Sequence, residues 1–99
     1  MIHHIVMFKF KEEIDANTRN CTFNDFKSAI ENLPRQLPFI KKIKVGYNCN
    51  PSEKWDICLY SEFLTLEDVN AYSIHPLHQQ AATIIRPYIC DRACTDYEG

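Results

Sequence analysis

The sequence predicts an α+β fold in which helices pack on one face of a four-stranded antiparallel sheet. Apolar and β-branched residues follow the alternating pattern of strands in the segments 2–10, 39–47, 55–64 and 88–97. Apolar residues three and four positions apart indicate helices before the second and the fourth of these strands. The order is therefore β-α-β-β-α-β, which right-handed connections arrange as a ferredoxin-like fold.

Size and charge limit the classes of protein that fit. The 99 residues are expected to form one domain, 1–99, because two halves would have cores too small to offset chain entropy. A formal net charge of −2, with no basic stripe, argues against a nucleic-acid partner. No apolar run is long enough to span a bilayer and no signal-peptide core is evident, so we expect a cytoplasmic protein without a membrane partner.

The cysteines do not predict a metal site. Their number is odd and no two have the close CxxC spacing of zinc ligands, so we expect free thiols packed as small apolar residues. They are Cys21, Cys49, Cys58, Cys90 and Cys94. A metal site built from the histidines is also not expected, because His3 and His4 point to opposite faces of the first strand. The sequence implies no cofactor.

The first strand has two largely apolar faces. His4, Val6, Phe8 and Phe10 alternate with His3, Ile5, Met7 and Lys9. Helices on one side of the sheet can bury only one of these faces, so the other implies a partner. A second copy of the chain is the simplest candidate, with two sheets meeting in a barrel-like homodimer.

Capping residues and prolines predict the limits of the helices. The first helix is expected to begin near Asn17 or at Thr22 and to end before Pro34. Its predicted buried stripe is Phe23, Phe26, Ile30 and Leu33. Thr65 is expected to cap a short helix, 66–74, and Pro76 to begin another, 76–87. The inward face of that last helix is predicted to hold Leu77, Ala81, Ile84 and Tyr88.

Histidines lie on both sides of the break between those two helices. His75 precedes Pro76, which disfavours helical geometry at His75 and suggests a structural role in shaping the break. His78 falls in the first turn of the next helix, where the positive end of the helix dipole favours a neutral imidazole. A neutral histidine is a usable base near pH 7, and a tyrosine such as Tyr72 can donate a hydrogen bond to an oxyanion. The alternative is that all three residues only pack and fix the helix break.

Taken together, the motifs resemble those of the stress-responsive dimeric α/β barrel family. They are His4–Phe10, Val45-Gly46, Trp55-Asp56-Ile57, Ser61-Glu62-Phe63, Tyr72, His75-Pro76-x-His78 and Asp91–Tyr97, and they span nearly the whole chain. The resemblance implies a homodimer whose two sheets form a barrel with the helices outside. It also implies a cleft between sheet and helices in each subunit.

The resemblance further implies roles for individual residues. One branch of the family is similar to a plant polyketide cyclase that closes an aromatic ring by aldol condensation. Its base corresponds to His78, its assisting tyrosine to Tyr72 and its strand histidine to His4, and Val6 and Phe8 would line the substrate side of the same strand. A further pocket histidine of the cyclase corresponds to Ile57, so the same substrate is not expected.

Three functions remain open on the sequence. The first is a homodimeric stress-responsive barrel protein with a small-molecule cleft and no catalysis. The second is a cofactor-free lyase or cyclase acting on a small aromatic or carbonyl compound. The third is a cofactor-less monooxygenase, which rests on a shared dimeric barrel plan alone.

Overall fold

The computed structural model describes residues 1–99 and contains four strands and three α-helices. In chain order they are β1 (Ile2–Phe10), α1 (Ala16–Glu31), β2 (Lys42–Tyr47), β3 (Ile57–Phe63), α2 (Leu66–Ile74), α3 (Pro76–Ala82) and β4 (Ile89–Glu98). Two short 3₁₀ turns, Leu33–Arg35 and Arg86–Tyr88, follow α1 and precede β4. The strands form one antiparallel sheet in the order β2-β3-β1-β4, which confirms the predicted ferredoxin-like fold.

The central strand β1 has the predicted alternation of faces. Its even-numbered residues from Ile2 to Phe10 are buried beneath the helices, whereas the residues between them are only half-buried. Cross-strand pairing places His4 opposite Ser61 of β3 and opposite Asp96 of β4. The helix-covered face of β1 therefore holds a buried histidine between two polar neighbours.

Helix α1 begins earlier than either predicted start. Asp15 caps it, since a carboxylate oxygen accepts a hydrogen bond from the Thr18 backbone N–H at 2.7 Å. Thr22 instead lies buried within the helix, so the predictions of Asn17 and Thr22 as caps were wrong. The stripe prediction holds for Phe26, Ile30 and Leu33, which are buried, while Phe23 is half-buried against the ring of Tyr47.

Helix α3 is shorter than predicted. It ends at Ala82 rather than at residue 87, and Pro87, which has no N–H to continue an α-helical ladder, lies in the 3₁₀ turn that follows. The chain turns through Arg86–Tyr88 into β4, and Ile85 takes the buried position expected for Ile84 and Tyr88. Strands β2 and β3 likewise begin at Lys42 and Ile57, later than the predicted 39 and 55.

The outer edge of β2 is closed by side chains of α1. The Val45 N–H donates to the Glu31 carboxylate at 2.9 Å, and Lys27 donates to the Val45 carbonyl at 2.9 Å. Lys27 and Glu31 also pair with each other at 2.7 Å. These contacts satisfy backbone groups that an edge strand would otherwise present to another chain.

The sheet face away from the helices carries a polar and aromatic cluster. His3 Nδ1 lies 2.6 Å from the Tyr60 hydroxyl, which donates to Glu62 at 2.6 Å, and the His3 ring stacks on Tyr97. The hydrogen bond to the Glu62 carboxylate is the main reason that the pKa of Tyr60 rises to about 12. None of the three helices has the length and apolar character needed to cross a bilayer.

Candidate functional site

A cavity of about 290 Å³ lies between the helix-covered face of the sheet and the α2–α3 pair. All five residues proposed from the sequence line it: His4, Val6 and Phe8 from β1, Tyr72 from α2 and His78 from α3. The remaining lining residues include Phe26, Leu59, Ile85, Ile89, Gln79, Arg86 and Arg92. The cavity is thus mostly apolar, with a few polar groups, which is the composition typical of small-molecule sites.

The helix break determines which backbone groups are free near this cavity. Pro76 has no N–H, and the Leu77 N–H donates to His75 Nδ1 at 3.1 Å instead of continuing the α2 ladder. The Ser73 carbonyl is therefore left without its usual backbone partner. It accepts hydrogen bonds from two side chains of α3, His78 at 3.1 Å and Gln79 at 2.6 Å. His75 acts as the N-cap of α3, in agreement with its predicted structural role.

The Ser73 carbonyl also sets the tautomer of His78. A carbonyl oxygen can only accept, so His78 Nδ1 must carry the proton, and the lone pair of the neutral ring lies on Nε2. Burial lowers the pKa of His78, and the nearby charge of Arg86 acts in the same direction. His78 is therefore a neutral imidazole with its basic nitrogen free of protein partners, on the wall of the cavity.

The predicted preference for neutral His78 is correct in direction, although its main cause differs. The prediction rested on the helix dipole, whereas burial has the largest effect on the pKa of His78 in the structure. Helix α3 has only seven residues, which limits what its dipole contributes.

Tyr72 is the most unusual polar residue of the site. Its side chain is completely buried, and its hydroxyl is the one buried side-chain oxygen or nitrogen without a hydrogen-bond partner. Its ring packs against His78 at 4.4 Å between centroids and against Phe63 at 5.3 Å. Burial raises the pKa of Tyr72 well above its ordinary value, so the hydroxyl keeps its proton and remains a donor.

His4 completes the polar side of the cavity from the sheet. Its ring faces Tyr72 edge-on, with 6.0 Å between centroids. Its Nδ1 lies 2.5 Å from the Asp96 carboxylate and 3.7 Å from Cys94 Sγ. Asp96 therefore fixes the orientation of the ring.

The residues that support these three were not predicted from the sequence. Arg92, Cys94 and Asp96 share one face of β4, a pattern visible in the sequence, but the pairing of β4 with β1 was needed to place Cys94 and Asp96 beside His4 and Arg92 in the cavity lining. Arg86 donates to Gln79 at 2.7 Å from the turn after α3, which the sequence analysis had placed inside a longer helix.

Comparison with known proteins identifies the family. The model of the stress responsive A/B barrel domain matches residues 2–99. The chain belongs to this family. No curated protein matches its sequence.

Solved structures of family members and similar proteins share this fold. A dimeric ferredoxin-like protein of unknown function from Bacteroides fragilis is 45% identical, with a TM-score of 0.96 over 99% of this chain and 95% of its own. A hydroxynitrile lyase from Passiflora edulis is 19% identical, with a TM-score of 0.73 over 97% and 90% of the two chains. An antibiotic biosynthesis monooxygenase is 10% identical, with a TM-score of 0.76 over 100% and 98%. The last two comparisons establish a common fold and nothing about reaction.

Proposed function

We propose that this barrel-domain protein is a homodimeric, cofactor-independent lyase or cyclase that acts on a small, partly aromatic carbonyl compound. The observation that carries the proposal is the buried, unpartnered hydroxyl of Tyr72 beside the free Nε2 of His78. A buried polar group without a partner costs about 1–3 kcal/mol, which a purely structural pocket gains nothing by keeping. A ligand oxygen would supply the missing acceptor.

The reaction begins with proton transfer. His78 Nε2 removes a proton from a carbon next to the substrate carbonyl, which gives an enolate and an imidazolium. The Tyr72 hydroxyl donates a hydrogen bond to the enolate oxygen as its negative charge develops. His4 orients the substrate from the sheet, and Val6 and Phe8 contact its apolar part.

The same proton completes the reaction. In a cyclase, the enolate carbon attacks a second carbonyl of the same molecule, and the resulting alkoxide takes the proton back from His78. In a lyase the steps run in reverse: His78 Nε2 takes the proton of a hydroxyl next to the bond, the carbon–carbon bond breaks to a carbonyl and an enolate, and the enolate carbon takes the proton back from His78.

The experiment that tests the proposal measures deuterium exchange into aromatic methyl ketones and 1,3-diketones in D2O by NMR. We expect the protein to accelerate exchange, and Tyr72→Phe and His78→Gln to lower the rate by about 10²-fold or more. His75→Asn is the matched control, because asparagine keeps the capping group of α3 while His75 lies outside the cavity lining. No acceleration over buffer, or an equal loss in the control, would contradict the proposal.

One observation favours a second, non-catalytic function. The bonds from His78 and Gln79 to the Ser73 carbonyl join the two helices across their break, which is a structural role. In that case the protein is a ligand-binding, stress-protective dimer. His78→Ala would then lower the unfolding midpoint strongly, whereas a functional His78 leaves it nearly unchanged.

A further inference from the structure

We propose that His4, Cys94 and Asp96 form a binding site for a thiophilic divalent cation such as Zn²⁺, where β1 meets β4. The three ligand atoms, an imidazole nitrogen, a thiol sulfur and a carboxylate oxygen, all lie within 4.8 Å of one another. The site goes beyond the proposed acid–base function and does not depend on it. It also revises the expectation of a chain without metal, since Cys94 and Asp96 share β4 but His4 lies 90 residues before Cys94 in the sequence.

The site is built on the most regular part of the fold. His4 is paired with Asp96 across the β1–β4 ladder, and Cys94 is paired with Val6, so Cys94 is a diagonal neighbour of His4 on the same face. His4 is 5% exposed and its ring already points at both partners, with Nδ1 at 2.5 Å from Asp96 and 3.7 Å from Cys94 Sγ. Ligands on adjacent paired strands are held more firmly than ligands on loops.

The ligand atoms determine which class of cation the site favours. Sulfur with imidazole nitrogen favours zinc and similar transition metals over magnesium or calcium, which prefer oxygen ligands alone. Tetrahedral zinc with ordinary bond lengths places its ligand atoms about 3.3 to 3.6 Å apart. The sulfur–nitrogen distance of 3.7 Å is already close to that value, and the Asp96 carboxylate has to withdraw by about 1 Å. Three protein ligands leave a fourth position for water or a bound ligand.

Metal binding would also change what His4 offers to the cavity. Without metal, His4 Nδ1 donates to Asp96 and the lone pair of a neutral ring lies on Nε2. Coordination through Nδ1 requires that nitrogen to be free of its proton, so the proton of the neutral ring moves to Nε2. The cation would therefore convert His4 into a hydrogen-bond donor in a cavity where Tyr72 already donates.

The test is a Zn²⁺ titration of untagged, chelator-treated protein in competition with a chromophoric chelator. It is repeated with Co²⁺, whose thiolate charge-transfer band reports sulfur coordination. We expect one ion per chain, binding at least about tenfold weaker in Cys94→Ser and in Asp96→Asn, and no cobalt–thiolate band in Cys94→Ser. Cys90→Ser is the matched control, an exposed thiol on the same strand outside the cluster, and should bind as the wild type does.

Absence of stoichiometric binding in the wild type would overturn the proposal. Unchanged affinity in Cys94→Ser, or an equal loss in Cys90→Ser, would do the same. Circular dichroism of each variant confirms that it is folded, and the stoichiometry and cobalt–thiolate band of the wild type remain decisive if a ligand variant is not. The proton-exchange assay on metal-free protein tests the proposed function separately.

Discussion

At the scale of single residues, His78 combines a fixed tautomer with a lowered affinity for protons. Burial lowers its pKa below the ordinary 6.5, and the charged groups that act with it are Arg86, His4 and Arg92. The free base is therefore present at neutral pH and is lost only as the pH falls below the ordinary histidine range. We expect the acid decline of the deuterium-exchange rate to have its midpoint below pH 6.5.

The source of that shift can be tested with a neighbouring charge. Arg86→Gln removes one of the groups that lower the pKa of His78, so the acid limb of the pH–rate profile should move to higher pH. An acid limb above pH 6.5 in the wild type would contradict the assignment of His78 as the base.

Tyr72 should separate stability from function. Its hydroxyl has no partner to lose, so we expect Tyr72→Phe to leave the free energy of unfolding unchanged or to raise it by about 1 kcal/mol. The same change should abolish most of the proton exchange, because the oxyanion loses its donor. Urea unfolding of the wild type and of Tyr72→Phe measures the change in the free energy of unfolding. A large destabilisation would mean that the hydroxyl has a structural partner.

How far single residues could be predicted depended on where their partners lie. His4, Tyr72 and His78 belong to motifs that a family resemblance transfers position by position. Asp96 could not be predicted as a site residue. Its role comes from lying opposite His4 in the β1–β4 pairing, and the sequence alone does not give the register of that pairing. Tyr72 was predicted to be a donor, but its lack of a partner is a property of packing in three dimensions.

At the scale of elements, the contact between α1 and the edge of β2 can be tested through the Glu31 side chain. Burial opposes the charge on Glu31, but the hydrogen bonds from Lys27 and from the Val45 N–H outweigh it, so the pKa of Glu31 is lowered. We expect Glu31→Gln to reduce the free energy of unfolding by about 1–2 kcal/mol at neutral pH, as measured by urea denaturation. Glu13→Gln, at an exposed position, should have almost no effect.

The pH dependence of that difference follows from the sign of the shift. A lowered carboxyl pKa means that the stabilisation is complete above the ordinary value of 4.5 and is lost as the pH falls through the lower value in the folded state. The difference in the free energy of unfolding between the wild type and Glu31→Gln should therefore become smaller at acid pH. A constant difference across this range would show that the glutamate charge is not the cause.

The elements themselves were predicted better than their ends. Alternation and helical spacing identify the strands and helices because one face of each is buried. The ends depend on single contacts, such as the cap formed by Asp15 and the early end of α3 before Pro87. Those contacts compete with equally good alternatives in the sequence, Asn17 and Thr22 among them.

At the scale of the molecule, the sheet face away from the helices should be the dimer interface. On β1 this face carries His3, Ile5, Met7 and Lys9. The apolar Ile5 and Met7 lie beside the His3–Tyr60–Glu62 hydrogen bonds, and the Bacteroides fragilis relative is described as dimeric. We expect Met7→Glu to produce monomers, because it would bury an unpaired charge between two sheets. Light scattering after size-exclusion chromatography measures the mass.

The control for this prediction lies on the opposite surface. Gln80→Glu adds the same charge on the exposed side of α3 and should leave the assembly state unchanged. Dimers that persist in Met7→Glu would place the interface elsewhere. The fold could be predicted from element order, whereas the choice of this face as the interface rests on the apolar Ile5 and Met7.

The proposed base, His78, is oriented by a main-chain atom. Since His78 is held by the carbonyl of Ser73, replacement of the serine side chain leaves the acceptor in place. Positions 73 and 79 both line the cavity, so either can change the shape of the space offered to a ligand while the direction of the imidazole is retained. We expect substitutions at either position to change which ligands the cavity accepts while the proposed base keeps its orientation.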